Sequence, residues 1–360
     1  MPRTLALSVV VPVRDSGSSL EKVLTAIRAS ELPADTYEII VVDDVSSDES
    51  VPMAARHADT VVRLRGRASG PAYARNRGAE LATGEIVAFV DGDVLVRPDT
   101  LPRMLEFLAK RADIDAVSAS HDEVAGAPNF VSQYWNLLVS FGETRHGGGC
   151  ADFATGCAAV RRSVLFSAGM YDEWRFTRGS VESLELGQRL FGAGHGVVLS
   201  SELKVTHLKR WTLRSMCQEV WHRSMLLARS LGYQRISSGA PSDVVFTLSR
   251  ALTPALGVVA ILTLTAAFVP RPYVITKVIL AIAALLLTNL PVHRFYARTR
   301  GIVFALASAP LHLFVQAVSA AALCAGWILR DAFGDVLPDA ATQAYSEVGL
   351  ETWPPVRRRP

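Results

Sequence analysis

The chain has 360 residues, half of them apolar, and a formal net charge of only +3. That length allows two domains with a sizeable core, and the small, scattered charge, without a basic stripe among aromatics, excludes a nucleic-acid binder. The four cysteines, Cys150, Cys157, Cys217 and Cys324, form no CxxC pair, which argues against a disulfide framework or zinc site and fits a reducing compartment.

The N-terminal "LALSVVVPV" is too short for the apolar core of a signal peptide, and no small-residue cleavage site follows. A β-branched run of that length predicts a buried first strand. Further strands are predicted at "YEIIVVDD", "DTVVRL", "EIVAFVDGD" and "IDAVSAS". Between them "SSLEKVLTAIRAS", "GPAYARNRGAELA" and "PDTLPRMLEFLAKR" carry helical patterns. Strands alternating with helices predict crossover units and a mostly parallel sheet covered on both faces. Ligands of such sheets lie beyond the carboxyl ends of the strands. Asp43 and Asp44 end the second run, and Asp91 and Asp93 end the fourth.

Beyond residue 208 the composition changes. Residues 209–231 place Leu213, Met216, Cys217, Val220, Trp221, Leu227 and Leu231 at helical spacing among four arginines, the pattern of an amphipathic helix in a headgroup region. Three apolar stretches follow, 251–269, 273–292 and 301–329, each near the ~20 residues a spanning helix needs. Arg294, Arg298 and Arg300, between the last two, assign that loop to the cytoplasm. With three spans the N-terminal half is cytoplasmic, the protein is a multi-pass plasma-membrane protein, and the tail 331–360, read as disordered, lies outside. A re-entrant third segment would return the tail to the cytoplasm.

Asp91-Gly92-Asp93 places two carboxylates on one side of an extended segment. Carboxylates are hard ligands suited to Mg²⁺ or Mn²⁺, and a diphosphate can complete the shell. Asp43 and Asp44 leave their strand into a Ser/Asp-rich turn, where a carboxylate can accept from a base N–H or ribose hydroxyls, while Ser47 or Asp48 suits a helix N-cap.

The ordered set "LALSVVVPVRDSGSSLEKVL", "VVDDVSSDES", "GPAYARNRGAELATGEIVAFVDGD", "FATGCAAVRRSVLFSAGMYDE" and "ESLELGQRL" resembles glycosyltransferase family 2, with a GT-A fold. The resemblance covers about residues 5–210. It implies an inverting transfer of sugar from a nucleotide-sugar, with Mn²⁺ or Mg²⁺ as cofactor. It implies that Pro12, Asp15, Asp43 and Asp44 frame the nucleotide, that Arg75 lies on the nucleotide side, and that Asp91 and Asp93 hold the metal against the diphosphate. Gly156 and Arg161 resemble the acceptor-side segment, and His207 stands where a third metal ligand or diphosphate contact would be. Lys209, Arg210 and Trp211 suit phosphate binding or anchoring at the interface.

Two positions depart from the family pattern. Val45 stands where glycine often follows the paired aspartates, and a valine excludes left-handed backbone there. Ser183 stands in place of the aspartate that often serves as general base, leaving Glu182 as the nearest substitute and Asp172 and Glu173 in reserve. The organisation this implies is a catalytic domain at 1–208, an interfacial helix and linker at 209–242, a membrane region of about three helices at 243–330, and a tail. The acceptor expected from this architecture is a lipid or lipid-linked glycan. Open alternatives are a polyprenyl-phosphate sugar synthase, whose phosphate acceptor needs no strong base, and an inactive nucleotide-binding membrane scaffold.

Overall fold

A computed structural model describes residues 5–144, 148–149, 153, 156–174, 181–230, 287–333 and 350–353, with isolated positions at 276, 279 and 283. The first strand, β1 (Leu7–Val13), shows why the sheet forms. Val9, Val11 and Val13 alternate with Val10, and the two sets enter cores on opposite faces. On one face lie α1 (Gly17–Arg28), whose Leu20, Val23, Leu24 and Ile27 are all buried, and, after β2 (Tyr37–Asp43), α2 (Ser50–His57). Strand β3 (Thr60–Leu64) leads to α3 (Pro71–Leu81) on the other face. Helix α3 sits very close to β1, because a Cβ on Gly78 would lie 2.3 Å from Val10 Cγ1.

Next come β4 (Ile86–Val90), β5 (Val94–Val96), α4 (Thr100–Lys110), β6 (Ala116–His121), α5 (Phe130–Thr144), a two-residue β7 (Gly148–Gly149) and β8 (Cys157–Arg161). Helices α6 (Arg162–Ser167) and α7 (Glu182–Gly192) precede the long β9 (Val197–His207). Helix α8 (Leu213–Ser230), α9 (Leu290–Arg300), α10 (Ile302–Phe333) and β10 (Leu350–Trp353) complete the described chain.

The sheet order is β10-β3-β2-β1-β4-β8-β6-β9-β5, with β7 paired to β9. Strands β3, β2, β1 and β4 run parallel, as the alternating pattern predicts. The expectation of a mostly parallel sheet fails from β8 onward. Strand β8 lies antiparallel between β4 and β6, and β5 lies antiparallel to β9, so the sheet is mixed. The reason is connectivity: after α5 and β7 the chain re-enters the sheet at the carboxyl end of β4, with Cys157 opposite Val90, so β8 runs back along it.

Among the described residues one helix, α10 over Ile302–Arg330, is long and apolar enough to cross a membrane. It covers the third apolar stretch; 251–269 and most of 273–292 lie outside the described residues. One candidate span among the described residues does not support the expectation of about three spans and a multi-pass plasma-membrane protein. The tail also differs from its reading as disordered and outside: Leu350–Trp353 pairs antiparallel with β3, which puts that segment on the same side of any membrane as the sheet. Helix α8 does not present its apolar residues as one membrane-facing stripe. Met216, Val220 and Leu227 are buried, and Leu213 and Trp221 are exposed. It is held tightly to α10, where a Cβ on Gly326 would lie 2.6 Å from the Met225 carbonyl oxygen.

Candidate active site

A cavity of about 980 Å³ opens beyond the carboxyl ends of β1 and β4. Pro12 and Val13 at the end of β1, Asp44 after β2, Asp91-Gly92-Asp93 after β4 and Arg75 of α3 line one part. Glu182 of α7, His121 of β6 and His207 of β9 line the next. The cavity then continues between α5, α8 and α10, past Trp135, Leu138, Val220, Leu227 and Val315. Polar side chains interrupt that apolar stretch. His312 bridges Tyr134 Oη at 3.0 Å and Asn289 Oδ1 at 3.1 Å, Gln316 donates to the same Asn289 oxygen at 2.9 Å, and Ser224 and Ser319 meet at 2.8 Å.

The end of β4 is positioned by main-chain bonds. The Asp91 N–H donates to the Gly156 carbonyl, and the Leu208 N–H donates to the Asp93 carbonyl at 2.7 Å. Antiparallel pairing of Val94 with His207 makes Asp93 and His207 neighbours. His207 Nε2 lies 3.7 Å from Asp93 Oδ1. Gly92 lets the turn pass β1, since a Cβ there would be 3.1 Å from Val13 Cγ1.

Arg75, 3% exposed, binds two carboxylates at once. Nη2 donates to Asp91 Oδ1 and Nη1 to Glu182 Oε1, each at 2.8 Å. Burial alone would lower its pKa, but Asp91 and Glu182 outweigh that and hold the guanidinium charged. Burial raises Asp91 against the pull of Arg75, and raises Asp93 against that of Lys209, whose ammonium sits 4.0 Å from the Trp211 ring centroid. Burial, with the nearby His121, pushes His207 down to about 3, so its imidazole is neutral at physiological pH. A neutral imidazole beside a carboxylate is a donor set for a divalent cation. Among the described residues no three potential ligands gather into one cluster. Asp91, expected beside Asp93 as a ligand, also accepts from Arg75 through Oδ1.

The expected nucleotide-side acids behave differently. Asp43 is fully buried, 3.5 Å from Arg63 Nε, and accepts from the Ser46 N–H. Asp44 accepts from the N–H groups of Ser69 and Gly70 at 2.7 and 2.8 Å, fixing the loop before α3. Asp15 accepts from the Ser47 N–H at 2.8 Å, and its own N–H donates to Ser46 Oγ. Val45 corrects the sequence argument: its φ is +61°, so this valine does adopt the left-handed backbone, and Asp15 opposite it has φ +49°. Bonds from Asp15, Asp43 and Asp44 surround the turn and impose a conformation that valine alone disfavours.

Several expected residues lie away from the cavity. Arg161 is at the far end of β8, opposite Ile86, 3.4 Å from Asp115 and bonded to the Leu108 carbonyl. Antiparallel β8 carries it to the amino end of β4, while Gly156 stays at the site. Glu173 is engaged by Asn76 at 2.6 Å and by Arg77, and neither it nor Asp172 lines the cavity. Among the cavity residues that the sequence reading did not single out are His121 and Glu143, and the polar group of Asn289, His312 and Gln316. His121 ends a strand, the position where ligands of such sheets bind, and that was a usable signal; Glu143, inside α5, offered none. Burial tends to lower His121, but Glu143 outweighs it and holds the imidazole above its usual range.

Residues 8–166 match the model of glycosyl transferase family 2. An uncharacterized glycosyltransferase of Mycobacterium bovis is 35% identical over 205 residues, 56% of this chain and 85% of that protein. The uncharacterized glycosyltransferase YibD of Escherichia coli is 37% identical over 125 residues, and the match covers 34% of this chain and only 36% of that protein. A mannosyltransferase of Pyrobaculum calidifontis, solved with GDP-mannose and Mn²⁺, superposes with a TM-score of 0.57 at 21% identity, over 86% of this chain and 88% of that one. That likeness concerns the fold.

Proposed function

Because the chain belongs to glycosyltransferase family 2, we propose that it transfers sugar from a nucleotide-sugar, with inversion and with a divalent cation, to a lipid or lipid-linked acceptor at a membrane surface. The observation that carries this reading is the single cavity. One end collects Pro12, Asp44, Asp91 and Asp93 at strand ends with Arg75 of α3, and the other runs between α5, α8 and α10. Uridine is the base the family favours, and the GDP-mannose and Mn²⁺ of the Pyrobaculum calidifontis enzyme support a nucleotide-sugar donor and a metal.

Asp93 and His207 would hold Mn²⁺ or Mg²⁺, with the diphosphate supplying further oxygens. When bound, the cation neutralises charge developing on the leaving nucleoside diphosphate. Arg75 orders Asp91 and Glu182 beneath the donor, and Lys209 adds positive charge on the diphosphate side. Asp15, Asp43 and Asp44 act on the nucleotide by building the turn under it.

The lipid acceptor is supported by the apolar arm of the cavity and by α10, whose Ile302, Val303, Leu306, Trp327 and Ile328 are exposed. The polar group of Asn289, His312 and Gln316 within that arm suits an acceptor with a polar head and an apolar tail. We place the catalytic unit at residues 1–208, with 209–242 linking it to a membrane region at 243–330. The test is transfer of radiolabelled sugar from UDP- and GDP-sugars by the full chain in lipid vesicles. Label in the organic phase is the expected result; label only in water-soluble products would defeat the lipid part.

A further inference from the structure

Helix α10 is divided lengthwise. From Val303 through Leu306, Pro310, Phe314 and Ala321 to Ile328, an exposed apolar stripe runs down one side. The serine, histidine and glutamine side chains take the other side: Ser308, His312 and Ser319 are buried, and Gln316 lines the cavity. No charged residue stands between 301 and 329. A helix that is apolar outward and polar inward is the reverse of one whose outer face meets water.

The inner side is fastened along its length. Arg300, just before the helix, bonds Gln133 of α5, and Phe304 meets Phe130 of α5 with ring centroids 5.2 Å apart. Further along, His312 meets Tyr134 of α5, Ser319 meets Ser224 of α8, and Gly326 packs on the Met225 backbone. Helix α5 is itself tied to the sheet, since Asn136 donates to the Asp122 carbonyl at 2.5 Å after the end of β6. Helix α10 thus lies along the catalytic unit and α8 and does not leave them at once.

The chain after α10 limits how the helix can meet a membrane. A helix that crosses once delivers its end to the far side. Yet Leu350 pairs with Leu64 and Trp353 with Val61, in the same sheet whose strand ends carry Asp91 and Asp93. Residues 334–349, "GDVLPDAATQAYSEVG", would have to cross back. They carry Asp335, Asp339, Glu347 and Pro338, and they fall short of the ~20 apolar residues a spanning helix needs. A crossing that is not helical would strand backbone N–H and C=O groups in lipid. Both ends of α10 therefore stand on the side of the sheet.

We propose that α10 lies in the plane of the bilayer and does not cross it, with its outer stripe in the acyl boundary of one leaflet and its inner face on the protein. This deepens the membrane part of the reading above and needs no sugar transfer to hold. The leaflet it fits is anionic, because Arg294 and Arg298 are exposed one turn apart on α9, immediately before the helix. The inner face of the same helix lines the apolar arm through His312, Val315, Gln316 and Ser319. An in-plane α10 sets that arm at headgroup depth, where a lipid's polar head is presented while its tail stays in the leaflet.

The experiment uses the full chain reconstituted into vesicles of phosphatidylcholine and phosphatidylglycerol. Spin labels are placed at Val303→Cys, Phe314→Cys or Ile328→Cys, with Cys150, Cys217 and Cys324 changed to serine. Accessibility to oxygen and to a nickel chelate gives the depth of each label. Val303 and Ile328 are separated by roughly 37 Å along the helix axis. The expected result is one shared depth, the three labels agreeing within about 5 Å and lying about 5–10 Å below the headgroups. Val303 and Ile328 in opposite headgroup layers, or Phe314 far deeper than both, would overturn the proposal in favour of a crossing or re-entrant helix. Labels sheltered from oxygen and coupled to those of a second chain would also overturn it, since another copy would then cover the stripe. In sealed vesicles, protease added outside should cut N- and C-terminal tags together or spare both; cutting only one contradicts the proposal. A crossing helix or a dimer would leave the membrane reading standing. Failure of the chain to associate with vesicles would remove that reading and this proposal with it.

Discussion

Two acidic pairs flank β1, and in sequence they read alike: Asp43 and Asp44 close β2, and Asp91 and Asp93 follow β4. In the folded chain they do opposite things. Asp43 and Asp44 are taken up chiefly by the N–H groups of Ser46, Ser69 and Gly70, with Arg63 also 3.5 Å from Asp43, so they build the loops beneath the cavity. Asp91 and Asp93 meet side chains instead, the Arg75 guanidinium on one and the neutral His207, with Lys209 near, on the other. A carboxylate saturated by backbone donors is a structural part. A half-buried carboxylate facing side chains and open cavity keeps an unspent interaction for a ligand.

The comparison breaks most visibly at Arg75. Arg75→Met leaves buried Glu182 and half-buried Asp91 without their counter-charge, and stability in urea unfolding should fall by about 3–5 kcal/mol. The double variant Arg75→Met, Glu182→Gln should recover part of that loss. Next, Asp44→Ala strands the N–H groups of Ser69 and Gly70 and should cost about 2–3 kcal/mol in thermal or urea unfolding. Asp93→Ala, by contrast, should leave stability equal or slightly higher, because it removes a charge that burial penalises. Equal losses in the two variants would erase the distinction between the pairs.

Smaller effects sharpen it. Val45→Gly relieves left-handed backbone worth about 1–3 kcal/mol, set against about 0.5–1 kcal/mol for the freedom glycine adds to the unfolded chain. A Tm a few degrees higher with unchanged nucleotide binding is expected. The smallest effect reports how dry the β4 end is. Cys157, paired with Val90, has its thiol pushed up to about 12 by burial and by Asp91. At pH 8 its thiolate fraction is about 10⁻⁴, so iodoacetamide should spare it until the chain unfolds.

Much of the parallel half of the sheet was legible, because its strands are uninterrupted β-branched runs and its helices carry a 3.6 period. The mixed half was not. Strands β5, β7 and β8 are two to five residues long, and direction is a property of connections that no local pattern encodes. For the site, the acids at strand ends were legible and their partners were not. Arg75 and Glu182 are 107 residues apart, and His121 and Glu143 are 22 apart on a strand and a helix. Arg161 was misplaced because sequence order carries no sense of which end of β8 faces the ligand. Val45 was misjudged because a local preference of a few kcal/mol yields to three surrounding aspartates that fix the turn.

The most direct test of the account is a calorimetric titration of UDP and GDP, with and without Mn²⁺, on wild type, Asp93→Asn and Asp43→Asn. The account predicts Mn²⁺-dependent nucleotide binding that Asp93→Asn abolishes and Asp43→Asn retains in whatever fraction stays folded. Binding that ignores Mn²⁺, or that survives in Asp93→Asn and vanishes in folded Asp43→Asn, would contradict it.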